Sequence, residues 1–141
     1  SADAITLWHV LEHVHDVHEY MNHLHRLLAG KGVLLIAVPN YTSLDAQHYQ
    51  AHWAAWDVPR HLYHFSPKSM QQLAEMHGFA VEQTVPMWFD SFYVSMLSEK
   101  YKGESLGFLK GVFTGLRSNI HTLRHRSHCS SLIYVLRKVR G

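Results

Sequence analysis

The chain has 141 residues, 47% hydrophobic and 17% charged, which is typical of one soluble globular domain. Its single cysteine, Cys129, excludes an internal disulfide, and no apolar run approaches the roughly 18 residues that a membrane span needs. A formal net charge of +2 is too small to indicate nucleic-acid binding. We therefore expect a cytoplasmic protein without a nucleic-acid partner.

The first part of the chain alternates strand and helix patterns. Residues 3–10 (DAITLWHV) are rich in strand formers, and residues 33–38 (VLLIAV) are apolar on both faces, as expected for a central strand of a parallel sheet. Between them the spacing predicts a helix that begins after Asp16, which can cap it, and stops at Gly30 and Gly32.

A long connection without period follows, residues 41–66, and it is loaded with aromatic and histidine side chains. A connection of this length in a compact domain is typical of a lid or a binding loop. Ser66 and Pro67 then mark the start of a second helix, which Gly78 ends. Two further strands are predicted, at residues 79–86 and 131–138. The order of elements indicates an α/β protein with a largely parallel sheet.

Residues 87–126 are predicted to form a helical insertion. An apolar seam runs along its second half: Leu106, Leu109, Phe113, Leu116, Ile120 and Leu123. Small residues recur every four positions: Gly103, Gly107, Gly111 and Gly115. This spacing permits close helix approach. Three interpretations stay open: docking on the sheet or a loosely ordered insertion, a homodimer interface, and weak membrane-surface contact through residues 105–126, which carry Lys110, Arg117, Arg124 and Arg126.

The string HVLEH, residues 9–13, matches a zinc-protease signature in which two histidines one helical turn apart bind the metal. In that interpretation His9 and His13 are ligands and Glu12 is the general base. The pattern argues against it, because His9 continues a strand and the capped helix begins only near Asp16. We therefore expect no metal site. A turn at the carboxyl end of a parallel strand is the alternative, and ligands bind there in open α/β sheets.

DAITLWHVLEH, followed by a helix and VLLIAVPN, resembles the second half of class I S-adenosylmethionine-dependent methyltransferases. The similarity is to the ubiquinone-biosynthesis O-methyltransferase-like group, and WDVPRHLYHFSPKSMQQLAEMHGF extends it. It covers residues 3–86 and the last strand, whereas residues 87–126 have no comparable match.

The resemblance implies an α/β fold, with residues 1–141 forming the C-terminal half of a Rossmann-like methyltransferase sheet. The four strands would take the family order 4-5-7-6, with the last strand antiparallel. Strands 1 to 3 and the Gly-rich cofactor loop would be absent, and the eight glycines contain no G-x-G-x-x-G. We expect such a fragment to bind the cofactor weakly and to be inactive or nearly so.

The resemblance also implies roles for the residues at the strand ends. The turn would border S-adenosylmethionine through Trp8, His9, Val10, Glu12 and His13, whereas Pro39, Asn40 and Tyr41 would border the methyl acceptor. If the acceptor is a hydroxyl, a base with a pKa near neutrality is useful, and His13 and His61 are the candidates. In the long connection, Trp56 and Arg60 either line a lid or cover the core, with Arg60 paired to Asp57.

The expected function is methyl transfer to a small-molecule acceptor, with quinone-like compounds and glycan precursors among the candidates. Acceptor choice lies in variable loops, so the sequence leaves it open. The alternative, from a different functional class, is a non-catalytic α/β module that binds a partner. A zinc enzyme that uses HVLEH is the third hypothesis.

Overall fold

The computed structural model describes residues 1–102, 107–124 and 128–139. Within those ranges the strands are β1 (Ala2–Trp8), β2 (Leu28–Pro39), β3 (Phe79–Pro86) and β4 (Ser131–Lys138). The α-helices are α1 (Val17–Leu27), α2 (Leu44–Tyr49), α3 (Pro67–Met76), α4 (Asp90–Lys102) and α5 (Gly107–Arg124). Short 3-10 turns occupy Leu11–His13, Gln50–His52 and Ala54–Trp56.

The four strands form one sheet in the order β1-β2-β4-β3. β1 and β2 are parallel, and β4 is antiparallel to both of its neighbours. This arrangement confirms the predicted α/β fold, including the insertion of the last strand between the second and third. The carboxyl ends of β1 and β2 therefore lie side by side at one edge of the sheet, where the candidate site is found.

Helix α1 forms because its cap and its apolar stripe agree. The Asp16 carboxylate accepts a hydrogen bond from the Glu19 backbone N–H at 2.9 Å, as predicted. Val17, Met21 and Leu24 are buried along one side of the helix and share the main core with strand residues such as Leu34. Burial of side chains of this size stabilises the fold by about 1.5–3 kcal/mol each.

Two predicted boundaries are wrong, each for a local reason. β1 ends at Trp8, before the predicted residue 10, because His9 adopts the left-handed conformation (φ 53°). β2 begins at Leu28 rather than residue 33, so Gly30 and Gly32 lie inside the strand and do not end α1. The helix ends because Leu28 is extended, with φ −71° and ψ 137°.

The connection at residues 41–66 is more regular than its sequence pattern indicates. It contains α2 and the two later 3-10 turns, and Tyr49, Trp53 and Ala54 are buried against Val94 of α4 in a second core cluster. The aromatic side chains that obscure any helical period are therefore the core of this segment. They hold the connection against the insertion, and its function as a lid stays a prediction.

Two helices, α4 and α5, make up the predicted helical insertion, and small residues bring them together. A Cβ atom on Gly111 would lie 2.7 Å from the Cα of Met96, and one on Gly115 would lie 2.9 Å from the Cα of Phe92. The glycines therefore serve close approach to α4 of the same chain. Three residues of the predicted insertion lie outside the described residues: Gly103, Leu106 and Arg126. Only the backbone is described for Gly107, Leu123 and Arg124.

The apolar seam of α5 faces away from the protein. Leu109, Phe113, Leu116 and Ile120 are between 48% and 68% exposed. Docking of this seam on the sheet is therefore wrong, and the homodimer and membrane-surface interpretations stay predictions. None of the described helices combines the length and the apolar character required to cross a bilayer.

Replacement of Gly111 by alanine is expected to destabilise the protein by about 1–3 kcal/mol, because the new methyl group would overlap the backbone of α4. This effect opposes the gain of about 1 kcal/mol that alanine brings to a helix interior. Urea unfolding measures the difference. Gly30→Ala is the matched control, since a Cβ there meets nothing within 4 Å. If Gly111→Ala stabilised the protein, the close packing of α4 and α5 would be contradicted.

Candidate functional site

The carboxyl end of β1 turns sharply into a 3-10 turn that carries the HVLEH motif. His9 leaves the strand with φ 53°, and Leu11–His13 form the 3-10 turn. A histidine in the left-handed region is uncommon and points to a backbone held by its surroundings. His9 and His13 do not share a face of an α-helix, so the helical zinc geometry considered for HVLEH is absent here.

Glu12 is the buried centre of this turn. Its side chain is fully buried, and Oε1 accepts a hydrogen bond from His9 Nδ1 at 3.2 Å. The second carboxylate oxygen, Oε2, has no hydrogen-bond partner among the described residues. A buried carboxylate oxygen without a partner is costly, so a native protein that retains one invites a functional explanation.

The connection at residues 41–66 clamps the turn in place. The Glu12 backbone carbonyl accepts from the Leu62 N–H at 2.7 Å, and His13 Nδ1 donates to the Arg60 carbonyl at 2.9 Å. His61 Nδ1 donates to the Ala55 carbonyl at 2.8 Å. The rings of His13 and His61 meet edge to face with centroids 4.7 Å apart. The motif and the long connection thus assemble one corner from distant parts of the chain.

A cavity of about 240 Å³ opens beside this corner. His9 and Pro39 supply the wall at the strand ends, Arg60 and His61 come from the long connection, and Tyr93 and Tyr101 come from α4. Asp57, which also lines the cavity, is the second residue there with a positive φ, 40°. A mostly apolar cleft with a few convergent polar groups is the usual form of a small-molecule site.

Of the residues predicted to border ligands, Pro39, His9, Arg60 and His61 lie in the cavity wall. The Asn40 amide is buried and donates to the Cys129 carbonyl at 3.0 Å, while its oxygen accepts from the Thr42 N–H at 3.1 Å. These bonds favour a role for Asn40 in shaping the end of β2. Its contact with a substrate stays a prediction.

The aromatic candidates lie around the cavity rather than in its wall. Trp8 is 51% exposed at the end of β1. Tyr41 stacks on Trp56, with ring centroids 6.2 Å apart, and the Trp56 indole N–H donates to the Gln50 carbonyl.

Of the remaining candidates, Val10 is half-buried and packs on the main core. Arg60 binds Asp57 Oδ1 through Nε at 3.1 Å and Nη2 at 2.8 Å, as one of the sequence-based alternatives proposed.

Sequence reasoning missed the wall contributed by α4. Its cavity-lining residues are Asp90, Tyr93, Val94, Leu97 and Tyr101. Asp90, Tyr93, Leu97 and Tyr101 recur at steps of three and four residues, and Val94 is adjacent to Tyr93, which places the set along one side of a helix. That periodicity was available in the sequence. It was hidden because other faces of α4 also contain apolar side chains, and no motif pointed to this segment.

Stability is expected to depend on pH through His9. Its hydrogen bond to the Glu12 carboxylate raises the pKa of His9 above the usual 6.5, against the opposing effect of burial. A raised folded-state pKa stabilises the protein below pH 6.5, and this contribution is lost as the pH rises through the folded-state value. Wild type should therefore exceed His9→Asn in free energy of unfolding by more at about pH 5.5 than at about pH 8.5.

Urea titrations of both proteins measure that difference, and asparagine suits the test because it tolerates the left-handed backbone. If this difference in free energy of unfolding is constant or grows with pH, the His9–Glu12 hydrogen bond does not raise the pKa of His9. His61 behaves in the opposite sense, since burial is the main cause that lowers the pKa of its imidazole. Burial therefore favours the neutral form of the His61 ring.

Known structures share this architecture. The mitomycin 7-O-methyltransferase MmcR superposes with a TM-score of 0.59 and 15% identity, covering 99% of this chain and 30% of that one. Phosphoethanolamine N-methyltransferase 2 from Haemonchus contortus, in complex with S-adenosyl-L-methionine, gives 0.52 and 12%, covering 98% and 33%. The mycolic acid cyclopropane synthase CmaA1, complexed with SAH and CTAB, gives 0.57 and 13%, covering 96% and 55%.

At these identities the likeness shows a common fold, and the chain spans 30% to 55% of the length of these three structures. No curated protein sequence matches the chain significantly. A family profile described as a methyltransferase domain matches residues 1–84. Because that match covers more than half of the 141 residues, the chain belongs to the methyltransferase-domain family.

Proposed function

We propose that the full-length protein transfers a methyl group from S-adenosylmethionine to a small-molecule acceptor bound in the cavity beside His9 and His61. The observation that carries this proposal is the position of the cavity. It lies at the carboxyl ends of two parallel strands in a chain of the methyltransferase-domain family. Ligands of open α/β sheets bind at that edge.

The end of β1 fits the cofactor. Trp8 presents an exposed indole, and the left-handed turn at His9 exposes part of the imidazole beside it. Aromatic surface and a polar ring are suited to a cofactor that combines a purine, a ribose and a sulfonium. When bound, the cofactor supplies an electrophilic methyl group on sulfur. The contacts of Trp8 and His9 follow from this placement, and those of Val10, Glu12 and His13 are proposed from the sequence resemblance.

The residues around the cavity would align and activate the acceptor. The nucleophilic atom of a hydroxyl acceptor must lose its proton as it takes the methyl group, and groups with free lone pairs favour that loss. His61 lies in the wall with a neutral ring, and His13 and Glu12 lie directly behind it. We assign to this corner the activation of the acceptor, and to Tyr93 and Tyr101 the exclusion of water.

The acceptor class is drawn from the sequence resemblance to ubiquinone-biosynthesis O-methyltransferases, which supports a hydroxyl on a ring or a sugar. The apolar and aromatic wall that α4 contributes suits a planar or partly apolar acceptor. Arg60 is 75% exposed at the rim and can meet an acidic substituent, although it already pairs with Asp57.

Filling the cavity should block the acceptor without affecting the cofactor. Leu97→Trp adds bulk to the α4 wall, far from the end of β1 in sequence, and is expected to raise the KM for the acceptor at least about tenfold. The measurement is transfer of a labelled methyl group from S-adenosylmethionine into small-molecule extracts and then into the purified acceptor. Tyr20→Trp, on α1, is a matched bulky control. Equal acceptor KM values in wild type and Leu97→Trp would place the acceptor elsewhere.

A further inference from the structure

Three side chains in the corner beside the cavity converge on one point. One potential metal-ligand atom from each of Glu12, His13 and His61 lies within 4.8 Å of the other two. Glu12 is fully buried, and its Oε2 is the oxygen that lacks a hydrogen-bond partner in the described part of the chain. The cluster is therefore more than a group of exposed polar residues, because one of its members is buried with a lone pair unused.

The hydrogen bonds of the two histidines fix which nitrogen of each ring is free. His13 Nδ1 is bonded to the Arg60 carbonyl and His61 Nδ1 to the Ala55 carbonyl. A carbonyl oxygen only accepts, so each Nδ1 must carry the hydrogen and each Nε2 of a neutral ring must present a lone pair. Metal-binding histidines are almost always oriented in this way, with the second nitrogen donating to a carbonyl or a carboxylate.

None of the described residues donates a hydrogen bond to Glu12 Oε2. His9 donates to the other Glu12 oxygen, Oε1. Arg60 directs its guanidinium to Asp57, and the Asp57 carboxylate lies 3.8 Å from His61 Nε2, beyond a normal hydrogen bond. The described residues thus leave Glu12 Oε2 without a hydrogen-bond donor, in the same cluster as the rings of His13 and His61.

We propose that Glu12, His13 and His61 bind a divalent cation of the zinc type beside the acceptor cavity. Two imidazoles and one carboxylate form a donor set that zinc uses with one position left open, whereas magnesium and calcium prefer oxygen ligands. Ligand atoms at about 2.0–2.2 Å from a tetrahedral zinc ion lie about 3.3–3.6 Å apart, so binding draws the cluster together from its separations of up to 4.8 Å. His13 is exposed and gives the ion a path of entry.

This site differs from the helical zinc-protease signature that the string HVLEH matches. Here Glu12 is a ligand, and the third ligand is His61 from the connection at residues 41–66. Its role in catalysis rests on the proposed function: with an open position next to the cavity, the cation would bind the acceptor oxygen and favour loss of its proton to water in the cavity. Binding of the ion itself does not depend on that role.

The test is titration of untagged full-length protein, first stripped with a chelator, with Zn²⁺ alone by calorimetry. Wild type should bind one ion tightly, and Glu12→Gln, His13→Asn and His61→Asn should each weaken binding on the order of 100-fold. Co²⁺ should produce a visible absorption band that these variants lose. His13→Asn changes an exposed side chain, so it keeps the test valid should the buried Glu12→Gln variant not fold.

The control is the double variant His18→Asn with His77→Asn, which removes an exposed pair of rings whose nitrogens lie 2.9 Å apart. Its Zn²⁺ affinity should equal that of wild type. The proposal is overturned if all three cluster variants bind as wild type does, or if the control alone loses the ion. If added zinc does not change the rate of methyl transfer by the stripped protein, the proposed function stays intact. If the protein binds zinc but transfers no methyl group, only the proposed function is removed.

Discussion

Asp45→Ala is expected to destabilise the protein by about 3–5 kcal/mol. Asp45 is fully buried, and its carboxylate accepts hydrogen bonds from the Trp53 indole at 2.8 Å, from Ser118 at 3.4 Å and from Ser130. These donors come from the long connection, from α5 and from the residue before β4. Removal of the carboxylate leaves all three donors buried without an acceptor. The main core and the second core cluster then lose the hydrogen bonds that connect them.

Urea unfolding of matched variants measures this effect. Asp45→Asn keeps an acceptor oxygen and the side-chain shape, so its cost should be smaller, about 1–2 kcal/mol. Asp3→Ala is the control for an exposed aspartate and should change stability by no more than about 0.5 kcal/mol. A loss below about 1 kcal/mol for Asp45→Ala would mean that the carboxylate does not join these segments.

His61→Asn is expected to lower kcat for methyl transfer by about 10²–10⁴-fold. The reason is that His61 brings an imidazole into the cavity wall with its Nδ1 hydrogen directed to the Ala55 carbonyl, so its Nε2 lone pair can act on the acceptor directly or as a ligand of the proposed cation. Asparagine retains a polar side chain of similar reach but offers no basic nitrogen. Because the bond to Ala55 is local, we expect the fold to tolerate the change.

Steady-state kinetics of the full-length protein with varied cofactor and acceptor test this expectation. The KM for S-adenosylmethionine should stay within about twofold of wild type, since His61 does not lie at the end of β1. His52→Asn, an exposed histidine of the same connection, should leave kcat unchanged. Wild-type turnover by His61→Asn would remove this residue from the chemistry, whatever its effect on stability.

The sheet could be predicted because its signals are local and agree with each other. The apolar run of β2, the Asp16 cap and the Ser66 cap all lie where the structure has them. The boundaries failed where tertiary contacts overrule local preference. Gly30 and Gly32 lie within an irregularity of β2, between Leu28, which opposes Ala2, and Val33, which opposes Ala4, so pairing with β1 on both sides keeps them in the strand.

The site could be predicted only in part, because it is assembled from distant segments. The sequence predicts that the HVLEH turn borders a ligand at a strand end, but it does not indicate that His61 and the wall of α4 lie beside that turn. No spacing rule connects Glu12 to His61 or to Tyr93. Only the fold brings them together, through the bonds of Leu62 and Tyr63 to the Glu12 carbonyl.

A crystal structure of the full-length protein with S-adenosylhomocysteine tests the central claim most directly. We expect the adenosine beside Trp8 and His9, with the thioether sulfur directed toward the cavity between His61 and Tyr93. Difference density for the product there, with the corner of Glu12, His13 and His61 facing the space in front of sulfur, is the predicted result. Product bound away from the ends of β1 and β2, for instance along the outer face of β3, would contradict it.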